Sequence, residues 1–303
     1  MDTYSLTIIA TASLVAAACG YIGCFLVLRR MALLGDAISH SILLGIVVAF
    51  LITGDRGIVP MFIGAAIVGL ITAVAVQALE HGGVQADAAI GVTFTAFFAL
   101  GVVLLTLFAG RVHLDLDHVL YGEIAYVPWD ILTVGGRDLG PRALWSMGFV
   151  ALLNVVVVGL FFKELKVCAF DPGLAKAIGL NVLAFHYLLM GLVSLTAVAA
   201  FESVGAILAV AMLIVPGATA YLLTDDLKTM LGLSVLCGVL SAIGGYAIAT
   251  WLDASIAGAM TTAAGLLFAI AALFSPAHGV LARLRARQRG RISGPNVIQS
   301  NEE

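Results

Sequence analysis

Residues 182–223 read VLAFHYLLMGLVSLTAVAAFESVGAILAVAMLIVPGATAYLL, with one ionised side chain, Glu202, and one imidazole, His186. About 20 apolar residues in a helix cross a hydrocarbon core about 30 Å thick. The stretch is too long for one pass and predicts two, with the turn expected at Glu202 and Ser203. Lipid offers no hydrogen bonds to a free peptide group, so both passes must be helical.

The same reading holds outward from this stretch. Apolar runs predict spans at about 5–28, 32–52, 58–79, 90–109 and 144–162 before it, and at about 230–251 and 257–275 after it. Two polar segments interrupt them. One is 111–143, carrying His113, Asp115, Asp117, His118 and Glu123. The other is 163–181, where Phe170-Asp171-Pro172-Gly173 opens a short amphipathic helix. The chain is 62% hydrophobic and 11% charged. Soluble domains hold roughly 45–50% apolar and about 25% charged residues, so there is too little charge here to build a globular surface. The fold class is all-α, a polytopic transmembrane helix bundle. It has nine spans if every segment crosses and eight if one re-enters. Residues 1–279 form the transmembrane domain and 280–303 a polar, basic tail.

The first apolar run lacks a basic segment ahead of it, and Arg29-Arg30 follow it, the pattern of a retained span. Alternating passes place Arg29, Arg30, the 163–181 segment, Lys228 and the tail on one side, with 11 of the 15 Lys and Arg. Basic residues accumulate on the cytoplasmic side, so the C-terminus is expected there. The net charge of −3 gives no sign of nucleic-acid binding. Cys19, Cys24, Cys168 and Cys237 form neither CxxC nor a disulfide framework and read as small apolar filler.

Ionisable groups inside spans are costly, at least about 2.5–3.5 kcal/mol at the bilayer centre, so the few present are the candidates for function. Asp36 and His40 are four residues apart and share one helix face. His40 lies ten residues past Arg30, roughly 15 Å deep. A carboxylate oxygen beside an imidazole nitrogen suits a divalent transition metal. The same pair also serves as a hydrogen bond tying helices together. Glu202 reads either as a further ligand or gate charge, or as a solvated acid at a span end. His186 reads as a hydrogen-bonded residue of the bundle. The acids and histidines at 113–118 read as a metal cluster or as a solvated loop. Neither GxxxxGK[ST] nor HExxH is present, so if the chain moves a solute uphill, the energy must come from elsewhere.

Four segments together carry a resemblance: LRRMALLGDAISHSILLG (28–45), KELKVCAFDPGLAKAIGL (163–180), FESVGAILAVAMLIVPGATAYLLTDD (201–226), and LDASIAGAM (252–260) with FSPAHG (274–279). In order and extent they resemble the permease subunits of manganese/zinc/iron ABC importers. FESVGAIL and DLDHVLYGEIAYVPWD are most similar to the manganese-type branch. The resemblance implies an inner (plasma) membrane permease, not itself an enzyme, with ATP hydrolysis in separate cytoplasmic ATPase subunits. It implies a second permease copy or sister permease, and an extracytoplasmic metal-binding protein that delivers the ion. No cofactor is implied as permanently bound, because the manganese, zinc or iron ion is cargo. The family's intramembrane ligand pair falls on Asp36 and His40, within GDxxxH. The acid of FExVG is Glu202, and residues 218–229 correspond to the helix that docks on the ATPase. Two other readings are a permease for an organic cargo such as a metal chelate or vitamin, and an intramembrane metalloenzyme built on Asp36, His40 and His186.

Overall fold

The computed structural model describes residues 3–54, 58–108, 124–134, 137–275 and 279. The 113–118 cluster, Glu123 and the tail at 280–303 lie outside the described residues. Among the described residues, nine helices are long and apolar enough to cross a membrane. They are α1 (Thr3–Leu28), α2 (Ala32–Thr53), α3 (Ile58–His81), α4 (Ala86–Phe108), α5 (Arg142–Leu160), α8 (Val182–Val204), α9 (Ala206–Leu223), α10 (Leu227–Leu252) and α11 (Ile256–Phe274). Two short helices, α6 (Phe162–Phe170) and α7 (Pro172–Ala177), join α5 to α8. A 3-10 turn at Ile124–Trp129 and an antiparallel hairpin, β1 (Ile131–Val134) with β2 (Arg137–Pro141), lead into α5.

Helix ends follow local chemistry. Asn181 caps α8 by accepting from the Ala184 N–H at 3.1 Å, and Asp171 caps α7 by accepting from Leu174 N–H at 2.9 Å. Such caps satisfy amide donors that the first helical turn leaves free. α2 ends at Gly54 in the left-handed conformation. The long apolar stretch divides at Gly205, three residues after Glu202. Gly205 adopts φ 82°, ψ 171°, a backbone region essentially reserved for glycine. The turn therefore falls where the backbone can make it and not where the polar side chains stand.

α1 is the axis of the bundle and packs against α2, α5, α8, α9 and α10. Ile8, Val15, Cys19, Ile22 and Phe25 on it are wholly buried. Small residues let its neighbours close in, as membrane helices require in the absence of a hydrophobic driving force. A side chain at Gly23 would collide with the Leu213 carbonyl of α9, and one at Gly217 would lie 3.1 Å from the Cys24 amide.

This close approach corrects one expectation. Proline and glycine at 216–217 favour a break, which would set residues 218–229, the docking segment that the resemblance implies, apart as a separate helix. Instead α9 runs through Pro216 to Leu223, and the chain turns at 224–226 before α10 begins. Proline removes one intrahelical hydrogen bond, but packing of Gly217 against α1 holds the helix together across it.

Candidate functional site

α2 carries both candidate ligands on one face. The His40 Nε2 to Asp36 Oδ1 distance is 3.4 Å, and the side chains are 35% and 38% exposed respectively. The residues between them, Ala37, Ile38 and Ser39, are buried. The pair thus stands on the partly exposed face of α2, while the opposite face packs into the bundle. Two rings of α4 flank the imidazole: Phe94 lies 5.8 Å from it, tilted, and Phe98 lies 6.1 Å from it, edge-on. Phe94 and Phe98 are themselves i and i+4, a spacing visible in the sequence but submerged in an unbroken apolar run. α2 and α4 pack together along much of their length, which fixes the ring positions.

Glu202 does not join this pair. Among the described residues, no three His, Cys, Asp or Glu side chains stand close enough to hold a metal together. The reason is axial position. Ile38 and the Ser194 side chain meet at Gly69 of α3, so α8 passes the level of Asp36–His40 near Ser194. Glu202 is eight residues further on, about 12 Å along the helix. Its charged neighbours are Arg142 and Asp130, at the end of the bundle that carries the hairpin. Within one chain, Asp36 and His40 can offer an oxygen and a nitrogen to a cation. Further coordination positions would be left for water or for groups from another molecule.

His186 takes a different place from the candidate ligands. It is 8% exposed, and its Nδ1 lies 3.1 Å from Arg29 Nη1. This meets the expectation of a hydrogen-bonded bundle residue. The four cysteines are free, and three of them are buried. Burial pushes the Cys168 thiol up from its ordinary value, as befits an inert packing residue.

Comparison with known proteins matches residues 1–275 to the ABC 3 transport family. The chain is 58% identical over 276 residues to the manganese transport system membrane protein MntD of Bacillus subtilis, covering 91% of this chain and 94% of that one. It is 46% identical over 280 residues to the zinc transport system membrane protein TroD of Treponema pallidum, covering 92% and 76%. Its fold is similar to PsaBC from Streptococcus pneumoniae, solved in complex with Fab. There the TM-score is 0.76 and the identity 34%, over 94% of this chain and 96% of that one. Nine apolar helices among the described residues, in a chain that matches membrane proteins of metal transport systems over nearly its whole length, lead to one conclusion: the chain is a multi-pass permease of the ABC 3 transport family, of the manganese-type branch.

Proposed function

We propose that this permease forms the path by which an ATP-driven importer brings a divalent transition-metal ion, manganese first among them, into the cytoplasm. Asp36 and His40 bind the ion in transit. The observation that carries this reading is the pair itself: a carboxylate and an imidazole 3.4 Å apart, each about a third exposed on one face of a membrane helix. A lone charge there would be costly, and a divalent cation offsets it. Two ligands from one chain leave the site open, which suits an ion that must leave again better than a closed four-ligand cage. A second permease copy, or a sister permease, supplies the facing wall. Protons compete with the metal for the imidazole nitrogen.

Manganese is favoured by the relationship to MntD. Zinc is the second reading, motivated by TroD and by the affinity of imidazole for zinc. The basic end of the bundle, with Arg29, Arg30, Lys176 and Lys228, faces the cytoplasm with the tail at 280–303, following the positive-inside rule. At this end α6, α7 and the residue that follows α7 expose Phe170, Leu174 and Ile178, and Tyr221 and Leu223 are exposed at the end of α9; we assign the ATPase contact to this face, with 218–229 and the α6–α7 segment both part of it. Glu202, at the far end, is a gate charge where an extracytoplasmic metal-binding protein would deliver the ion. The test is uptake by the reconstituted importer with manganese, zinc and iron in competition. Preference for manganese, lost in Asp36→Ala, supports the reading. Equal uptake in wild type and Asp36→Ala, per assembled complex, refutes the assigned site.

A further inference from the structure

A cavity of about 410 Å³ opens at the basic end of the bundle, between the end of α1, the end of α3, the α6–α7 segment and the start of α8. Nothing in the metal path uses it. Three permanent cations line it, Arg29, Arg30 and Lys176, against one carboxylate, Glu80. Among the described residues none of the three forms an ion pair with a carboxylate.

The buried groups in this cavity are short of an acceptor. A guanidinium can only donate. At 3.1 Å from Arg29 Nη1, the Nδ1 of His186 must therefore accept, which assigns its proton to Nε2. That Nε2–H is buried without a partner, and so is the Arg29 Nε–H. Unpaired buried donors cost about 1–3 kcal/mol each, and native structures seldom leave two beside one cavity. Gln77 Oε1 is a third unpartnered group on the wall, suited to a hydroxyl.

The backbone adds an independent sign. α1 ends with Met31 N–H on Leu26 O at 2.9 Å and Arg30 N–H on Val27 O at 3.1 Å. Arg30 occupies the left-handed position of this cap, with φ 59°. Glycine is the usual residue there, and a side chain with a Cβ strains it. The chain nonetheless carries a cation at this point, on the rim of the cavity.

We propose that this cavity is a binding site for a phosphate-bearing anion, held by Arg29 and His186 at its floor and by Arg30 and Lys176 at its rim. A basic pocket between membrane helices at the cytoplasmic level is the setting in which anionic lipid headgroups bind, and a free phosphate ion offers the same oxygens. The site is independent of the metal path and borders the α6–α7 segment.

The test uses the full-length chain in neutral detergent. It is titrated in separate arms with inorganic phosphate, with phosphatidylglycerol and with phosphatidylcholine. Adducts retained in native mass spectrometry and the melting temperature are read in each arm. Wild type should gain stability and retain an adduct with phosphatidylglycerol but not with phosphatidylcholine. A matching gain with inorganic phosphate would show that the ion alone suffices, and its absence that the source is lipid. Lys176→Gln should weaken binding about tenfold, as expected for losing one charged hydrogen bond. Arg30→Gly should melt higher than wild type without ligand, because the strained position is relieved, yet lose most of the ligand-dependent gain. Arg29→Gln should abolish the gain, and where it fails to fold the two rim variants decide. No gain in either anionic arm, or an undiminished gain in both Lys176→Gln and Arg30→Gly, overturns the proposal. A purely structural Arg29–His186 pair predicts the former, and the latter would place the anion elsewhere on the chain.

Discussion

His40 and His186 are both imidazoles beside a charged side chain, 3.4 Å from a carboxylate and 3.1 Å from a guanidinium respectively. Their surroundings give them opposite chemistry. Asp36 contributes only acceptors, and the pair is about a third exposed, so the unit offers lone pairs and negative charge to a cation. Arg29 contributes only donors, and His186 is buried, so that unit offers N–H groups and positive charge to an anion. Residue type alone does not say what a histidine binds. Its partner and its burial do.

The sharpest way to break this contrast is to remove the cation side. Asp36→Ala and His40→Ala should each lower uptake per assembled complex by more than about a hundredfold, beyond the loss typical of changing a group behind a ligand. Assembly with the ATPase should be retained, because both side chains stand on the partly exposed face of α2. Asp36→Asn, which keeps the volume and removes the charge, should fail in the same way. A structural tie would instead show loss of assembled protein, with normal uptake by what survives.

Stability should show the reverse order. His186→Leu strands the Arg29 donors and should lower unfolding stability by about 1–3 kcal/mol. His40→Leu, on a partly exposed face, should change it by less than about 0.5 kcal/mol. Chemical denaturation in matched lipid checks both, and equal losses would erase the distinction between the two sites. A neutral interhelical bond away from both sets the scale. Asn154 Nδ2 donates to Thr196 Oγ1 at 2.8 Å, joining α5 to α8. Asn154→Leu should cost about 0.6–1.7 kcal/mol, the range for such bonds in membranes. A larger loss than in His186→Leu would mean that the charged pair contributes less than assumed.

The smallest effect concerns a cap outside both regions. The Thr229 backbone N–H, and then its hydroxyl, hold the Asp226 carboxyl below its ordinary value. A carboxylate depressed in the folded state adds stability above its unfolded value, near 3.8, and that stability fades as pH falls through the lower folded value. Asp226→Ala should therefore melt slightly below wild type at neutral pH, with the two curves converging below about pH 3.8. A constant difference at every pH would show that the cap acts through its shape and not its charge.

Hydropathy and length made the spans legible. The expected 32–52 and 144–162 appear as Ala32–Thr53 and Arg142–Leu160, because a bilayer demands helices of a set length and forbids unpaired backbone. The i, i+4 spacing of Asp36 and His40 was equally legible, since one helix turn brings them together without help from the rest of the chain. Glu202 could not be placed relative to them from sequence. That depends on where α8 stands against α2 and α3, which is set by side-chain packing near Gly69. The same limit applied at Pro216: local propensity favours a break there, but contact with α1 carries α9 through.

The amino-acid sequence by itself thus determined a bundle of eight or nine membrane helices and the shared helix face of Asp36 and His40, both of which follow from hydropathy and helix periodicity. Tertiary structure alone decided that Gly205 makes the turn, that Glu202 lies about two helical turns along α8 beyond the level of the pair, and that Arg29 meets His186, 157 positions away in the chain. These depend on contacts between helices distant in sequence, for which a bilayer supplies no hydrophobic signal and small residues supply only permission.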